Sequence, residues 1–309
     1  MLKKVAVFSG RSGILSRKAQ AALSLELKKE FRLKDVLKIV GIPESSYHYH
    51  GKALKENVDP DAEMKELIQA KFEEHNGSYG YRRITDELRL DGHTINYKRV
   101  QRLMKVLDIK CTKFGRKSRK YNAYKGTVGK VAKNRMKRRF NTSIPLQKLS
   151  TDITEFKCLG GKKLYLNPVL DLFNGEILSY GVSNSPTLDF ALEPLEETLD
   201  IIKNATYRTT IHTDQGWHYQ HDKWVKKLKK HKVFQSMSRK GNCIDNAPVE
   251  SFFGILKQEI YHGEPLCTYE ELKSKVEEYI YYYNNQRIKG RLIGMSPLQY
   301  RLHTDLIVA

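Results

Sequence analysis

The 309-residue sequence has no run of eighteen apolar residues, so it offers no membrane-spanning helix. Its first apolar stretch, within MLKKVAVFSGRSG, is too short for a secretory signal, and a soluble intracellular protein is expected. Cysteine is scarce: Cys111, Cys158, Cys243 and Cys267 are scattered without a C-x-x-C pair, which argues against both a disulfide framework and a zinc site. His48 and His50 have no cysteine pair beside them and read as surface residues. Acidic residues are missing altogether between Lys110 and Arg139, where 13 basic side chains stand alone. That stretch holds most of the formal net charge of +20. A solvated face is the plain explanation of a charge run. With Tyr121 and Tyr124 among the bases, the composition also suits a segment that tracks phosphates. Nucleic acid is the expected partner.

The chain before this basic stretch has helical periodicity. Leu33, Val36, Leu37 and Val40 make a short apolar stripe that Gly41 ends, and Pro43 opens the next turn. This is a helix-turn-helix-like pattern, with a plain helical hairpin as the alternative. A second helical unit begins near residue 60, with Met64, Leu67, Ile68 and Phe72 on one helix and Ile84 and Leu88 on the next. Val100, Leu103, Met104 and Leu107 then form a third stripe, leaving Lys98, Arg99, Arg102 and Lys105 on its outer side. A helix with a basic face after a glycine turn is a candidate for DNA contact, to the backbone before the bases.

Beyond Pro145 the pattern changes to strands. Residues 151–158, 164–170 and 176–182 are short β-rich runs joined by Gly160-Gly161 and Asn174-Gly175, both hairpin signals. A helix over 188–202, a strand ending in Asp214, a lysine-rich helix from Asp222 and a strand over 233–237 follow. In the stretch GNCIDNAPVESFFGILK, Asp245 or Asn246 is placed to cap a helix with Pro248 in its first turn. Val249, Phe252, Phe253, Leu256 and Ile260 form the buried face, with Glu250, Gly254 and Lys257 on the other. Thr268 and Glu271 have the spacing of a capping box for a helix over 272–284, and Ser296-Pro297 starts a last one. Three antiparallel strands, then helix, strand, helix, strand and helix, is the order of an α/β, ribonuclease-H-like mixed sheet.

Asp152, Asp214 and Glu250 each look ordinary alone: a polar residue at a strand, a turn acid and a solvated helix acid. Their spacing changes this, because 35 residues separate Asp214 from Glu250 and Lys257 follows the glutamate by seven. The strings TDITEF, HTDQGWHY, SRKGNCIDNAPVESFFGILK and YYNNQR occur in order. With them the chain resembles the DDE transposases of the IS-three insertion-sequence family, from about residue 60 to the C-terminus. The resemblance implies an integrase-type catalytic core with Asp152, Asp214 and Glu250 as catalytic metal ligands. Phosphoryl transfer needs charge stabilised on entering and leaving oxygens, and two Mg2+ ions held by carboxylates do this, with Mn2+ as a substitute. Asp152 is expected to bridge both ions, Asp214 to reach one and Glu250 the other. A copy-out, paste-in route is likewise implied by the resemblance alone.

The expected organisation is a helix-turn-helix-like region at 1–59, a second at 60–109, a basic linker at 110–144, the catalytic domain at 145–262 and a helical extension at 263–309. Expected DNA contacts are Lys257 and Asn246 near the site, Lys98, Arg99 and Arg102 on the third helix, and Lys117, Arg119, Lys120, Arg135, Arg138 and Arg139 on a poorly packed linker arm. Arg287, Lys289 and Arg291 are further phosphate candidates, and Trp217 and Tyr219 are weaker ones for stacking on a base. The function expected is metal-dependent 3′-end cleavage and strand transfer of an insertion sequence, in the bacterial cytoplasm on the nucleoid. Terminal-repeat and target DNA are the partners, with a homo-oligomer on DNA. The family's enzyme usually joins an upstream frame to this one by frameshifting; no leucine heptad is present, so an upstream-frame protein or fusion is a further partner. A structure-selective nuclease and a non-catalytic DNA-binding regulator are the rival readings.

Overall fold

The computed structural model describes residues 15–56, 59–113, 131–205, 207–239 and 242–308. The chain divides into two compact units, Met1–Glu73 with Gln101–Ile109, and Glu74–Val100 with Lys110–Ala309.

The first unit is helical, with α1 (Arg17–Leu27), α2 (Leu33–Val40), α3 (Glu44–Glu56) and α4 (Ala62–Glu74). Ser16 caps α1 by accepting from the Ala19 N–H. Val36, Leu37 and Val40 form the predicted stripe of α2 and pack with Ala21, Leu27 and Tyr47. Gly41 ends α2 at φ 71°, the left-handed region where a side chain would be strained.

Two more helices follow, α5 (Tyr81–Leu90) and α6 (Tyr97–Val106). On α6, Val100, Leu103 and Met104 are buried while Lys98, Arg99, Arg102 and Lys105 are exposed, as their periodicity predicts. Residues 74–100 belong to the second unit, tied in by polar groups that are rarely buried unless paired. His75 bonds Glu87 at 2.7 Å and the Tyr282 hydroxyl at 2.9 Å, and the Tyr79 hydroxyl accepts from the Ile288 N–H at 2.9 Å.

The second unit is built on a six-stranded sheet of β1 (Lys148–Thr151), β2 (Thr154–Lys157), β3 (Lys163–Asp171), β4 (Ile177–Ser183), β5 (Thr210–Thr213) and β6 (Phe234–Met237). The first predicted strand is in fact two pieces, β1 and β2, interrupted at Asp152-Ile153 and both antiparallel to β3. β4 is antiparallel to β3 on its other edge, while β5 pairs parallel to β1 and β6 parallel to β5. This is an α/β, ribonuclease-H-like arrangement.

Alternation along the strands sends side chains to both faces. On one face Leu149, Val169 and Ile211 pack against α7 (Leu188–Ile201), α8 (Trp217–Gln220) and α9 (Asp222–Lys230) through Leu195, Tyr219, Trp224 and Leu228. On the other, Phe156, Leu164, Leu166 and Leu170 pack against α10 (Ala247–Ile260) and α11 (Tyr269–Asn285). The buried residues of α10 include Val249, Phe252, Phe253 and Leu256, the face predicted for it. Thr268 and Glu271 form the predicted capping box of α11. The last helix, α12, is Pro297–Val308.

Part of the basic stretch departs from expectation. Lys117, Arg119 and Lys120 lie outside the described residues, but residues 131–139 are packed on the second unit and are no loose arm. Met136 is 2 % exposed within the core cluster of α10 and α11. The Arg135 N–H donates to Ser236 Oγ at 2.9 Å, and its guanidinium lies 4.3 Å from the centre of the Phe234 ring. Met136, the polar edge of β6 and bonds from Asn134 and Arg138 to Asp245 together anchor the segment.

The YYNNQR string is also architectural. Asn284 pairs with both backbone groups of Ile177, at 3.0 and 2.9 Å, and so caps the start of β4. Arg287, expected at a phosphate, is instead 1 % exposed and donates to both oxygens of buried Glu259, which also accepts from the Tyr279 hydroxyl. Removing one partner of such a pair strands the other charge away from water. Arg287→Met should therefore cost about 3–5 kcal/mol of unfolding free energy. Urea denaturation monitored by circular dichroism measures this, and a loss below about 1 kcal/mol would remove the pair from the architecture.

Candidate active site

The break between β1 and β2 places Asp152 just beyond the C-terminal end of β1, and Asp214 directly follows the parallel neighbour β5. Glu250 lies in the first turn of α10. Asp152 and Asp214 are half-buried and Glu250 is exposed. Asp152 Oδ1 accepts from the Ile153 N–H and Asp214 Oδ1 from the Gly216 N–H, both at 2.8 Å.

The three carboxylates feel one another. Burial first, then the charges of Asp214 and Glu250, raise the Asp152 carboxyl well above its usual range. The Ile153 N–H and the Asn246 amide act against this rise. Burial raises Asp214, opposed by the Gly216 N–H and by His218, and Glu250 is raised by desolvation and by Asp214. Among the described residues no three His, Cys, Asp or Glu side chains are already gathered as a metal cluster. The donor set is nonetheless all carboxylate oxygen and short of compensating positive charge, which suits a hard divalent cation.

Neutral groups floor the site. Asn167 on β3 accepts through Oδ1 from Thr151 at 2.8 Å and from the buried Tyr219 hydroxyl at 3.1 Å. Tyr219 is 1 % exposed and packs edge-on against Trp224, so it is no stacking platform, whereas Trp217 beside it is exposed. His212, two residues before Asp214, sits between Ser236 Oγ at 2.8 Å and Ser238 Oγ at 3.1 Å, and burial holds its pKa down at about 4.

Two residues expected at DNA are bonded into the framework. Asn246 makes no side-chain cap to α10 and is 2 % exposed. Its amide accepts from Ser150 Oγ and donates to the Thr151 carbonyl at 3.3 Å, which corrects its reading as a cap or a base contact. Lys257 Nζ donates to Thr154 Oγ1 at 2.6 Å and to the Glu155 carbonyl at 3.0 Å, over the Phe156 ring. Lys98, Arg99 and Arg139 are exposed, while Arg102 bonds Asp61 at 2.7 Å.

Arg138 belongs to a clamp that sequence reasoning missed. Asp245, with its side chain fully buried, accepts from Arg138 Nε and Arg239 Nε, both at 2.9 Å, and from Asn134 Nδ2 at 3.0 Å. It thus joins the basic segment, the end of β6 and the turn that opens α10. The signal available was an acid between Arg239-Lys240 and the Glu250 helix, which is weak without the distant Arg138. The Arg239 bond chiefly holds the Asp245 carboxyl far below the usual range. A depressed acid stabilises the fold above its unfolded pKa of about 4 and loses that contribution as pH falls through the lower folded value. Asp245→Asn should cost about 2–3 kcal/mol at pH 7. The gap from the unaltered chain should narrow below pH 4; melting curves across pH measure both, and an equal gap at pH 3 and 7 would contradict the clamp.

Comparison with known proteins bears on this geometry. A family described as "Integrase core domain" matches residues 142–243, a second of the same description matches 250–304, and an "HTH-like domain" matches 59–118. The chain is 42% identical over 279 residues, 90% of this chain and 96% of the relative, to the putative transposase InsK for insertion sequence element IS150 of Escherichia coli (strain K12). It is 34% identical over 237 residues, 76% of this chain and 80% of the relative, to the transposase InsF for insertion sequence IS3A of the same organism. A solved structure of the HTLV-2 integrase catalytic core domain in complex with magnesium is similar at 18% identity and a TM-score of 0.38, covering 51% of this chain and 97% of that one. Identities of 42% and 34% to insertion-sequence transposases over 90% and 76% of the chain, with two integrase-core matches, show that the chain belongs to the DDE transposases of the IS3 family.

Proposed function

We propose that this transposase cuts the 3′ ends of its insertion sequence and joins them to other DNA, with Asp152, Asp214 and Glu250 as the catalytic carboxylates. The observation that carries the reading is the placement of these acids beside the C-terminal ends of β1 and β5, where burial first, and then the Asp214 charge, raise Asp152 and Glu250. These residues would hold Mg2+, or Mn2+ in its place; when bound, the metal supplies charge stabilisation at the phosphoryl oxygens. Backbone N–H groups of Ile153 and Gly216 would orient the Asp152 and Asp214 carboxylates for it. Thr151, Asn167 and Tyr219 exclude water beneath them and add no charge. In cleavage a water oxygen attacks phosphorus in line, loses its proton, and the 3′ oxygen leaves as a hydroxyl. In joining, that hydroxyl oxygen attacks a second phosphodiester, loses its proton, and the 3′ oxygen of the strand it enters departs.

On the same reading DNA backbone contacts come from Lys98, Arg99, Arg102, Arg135 and Arg139, with Lys117, Arg119 and Lys120 on the segment between. The helical regions 1–59 and 60–109, the linker 110–144, the catalytic domain 145–262 and the extension 263–309 divide these tasks. A homo-oligomer on terminal-repeat and target DNA, with an upstream-frame protein or fusion, completes the assembly in a bacterial cytoplasm. The family gives no support to a nuclease that never joins or to a regulator that only binds.

End-labelled DNA incubated with Mg2+ or Mn2+ tests the reaction: joined products are expected, and cutting without joining would replace it with a nuclease. Glu250→Gln should lower cutting and joining by at least roughly a thousandfold and leave DNA affinity within about twofold. Equal loss of binding and chemistry would assign Glu250 to DNA contact or folding. Because the carboxyls are raised, acid keeps protons on them in competition with the metal. Apparent Mg2+ affinity should therefore fall as pH falls, with protons released on binding, which calorimetry in buffers of different ionisation enthalpy detects. An affinity independent of pH between 5 and 8 would contradict the assignment.

A further inference from the structure

We propose that a cationic cavity on the far side of α10 from Glu250 holds a backbone phosphate of DNA, with Lys289 and Arg291 as its direct contacts. The inference rests on the DNA-joining reading and adds a second DNA site to it. A cavity of about 340 Å3 opens between α10, the turn at Gly175 and the segment after α11, with Arg83, Arg287, Lys289 and Arg291 in its wall. Pro248, Ser251, Phe252 and Ile255 face it. At 100° per residue, these lie about half a turn around α10 from Glu250 and Lys257, so the cavity is separated from the carboxylates by the thickness of a helix.

The end of the sheet differs too. Asp171, in the cavity wall, pairs with Leu149 near the start of β1, whereas Asp152 follows its end. A phosphate held here is therefore not the phosphate reacting at the carboxylates.

The charges are unbalanced. Glu259 is taken by Arg287, and Glu176 pairs with Arg301 at 3.1 Å. Asp171 uses its two oxygens on the Leu146 and Phe173 N–H groups, at 2.9 and 3.0 Å, and burial raises its pKa to about 6. Among the described residues neither Lys289 nor Arg291 has a carboxylate partner. Lys289 Nζ is held by Tyr283 Oη at 2.8 Å and the Gly175 carbonyl at 3.2 Å, neutral acceptors only. A Cβ built on Gly175 would lie 2.7 Å from Lys289 Nζ and 2.7 Å from Arg291 Nη2, so the turn is bare where the two cations converge. Burial, then the charges of Arg291, Arg287 and Arg83, push the Lys289 ammonium well below its usual range. An anion entering the cavity would relieve that repulsion. A phosphodiester brings one negative charge and an apolar sugar edge, matching the cations and the adjoining Leu172 and Phe252.

Anisotropy of a labelled duplex bound to the full chain, across a salt series, tests the site. Arg291 is exposed, so Arg291→Gln should fold; its melting temperature checks this. It should weaken duplex binding about three- to tenfold and flatten the log–log salt slope by roughly 0.9, the value of one phosphate. Arg291→Lys should keep the slope, and Lys289→Gln should act in the same direction as Arg291→Gln. An unchanged slope in Arg291→Gln would overturn the proposal. A melting shift with inorganic phosphate over chloride at equal ionic strength, present in the unaltered chain and lost in Arg291→Gln without any change in DNA binding, would also overturn it in favour of a free phosphate ligand. Failure of the transposase reading would appear separately, as absent Mg2+-dependent joining by the unaltered chain.

Discussion

Three acids drawn partly out of water beside one another, Asp152, Asp214 and Glu250, are the constraint from which the second unit is best understood. Two adjacent parallel strands end in acids, and a helix adds a third. Burial amplifies the repulsion because water no longer screens it. Apart from His218 beside Asp214, the groups packed beneath the acids are neutral. Asn167, Thr151 and Tyr219 bond one another, and His212 is kept neutral between two serines by its low pKa. A lysine or arginine in those places would satisfy the acids permanently and remove the charge demand that a divalent cation is proposed to meet.

The elements carrying the acids are riveted together on either side of the break at Asp152-Ile153. Before the break, Asn246 at the start of α10 grips Ser150 and Thr151. After it, Lys257 one helical length further grips Thr154 and Glu155. The helix bearing Glu250 is thus registered against the strand bearing Asp152 at two points, with nothing within 4 Å of a Cβ at Gly254 between Glu250 and Lys257. Asp245 adds a third fixing point, to the end of β6 and the basic segment. Polar groups used this way hold geometry, since each needs its specific partner once removed from water.

Periodicity and local signals made much of this legible in advance. The apolar faces of α2, α6 and α10, the capping box of α11 and the strand order all follow from spacing within about twenty residues. The spacing of the three acids, with the family strings, singled out the candidate site before any geometry. What escaped was set by distant partners. Arg287 reads as a surface cation until Glu259 is seen beneath it, and Arg138 until Asp245 is. The break between β1 and β2 leaves no mark in a β-branched run, because Asp152 and Ile153 leave the ladder for reasons of tertiary position. The membership of residues 74–100 in the second unit depends on His75 and Tyr79 meeting residues some two hundred positions away.

Charge is also partitioned along the sheet. At the ends of β1 and β5 acids exceed bases, and beyond the start of β1, around Gly175 and Lys289, bases exceed acids. Each imbalance costs folding free energy while it stands alone, because like charges are held close with little water between them. At the basic end the chain pairs some of these charges itself: Glu259 neutralises Arg287 in the cavity wall, and Arg301 neutralises the neighbouring Glu176. Pairing has been completed there and left incomplete at Lys289 and Arg291, just as it is incomplete at the three acids. On the proposed reading a cation would relieve one end and a phosphodiester the other, on opposite sides of α10. The same helix would then separate the chemistry from a second hold on the polymer, so tightening one need not displace the other.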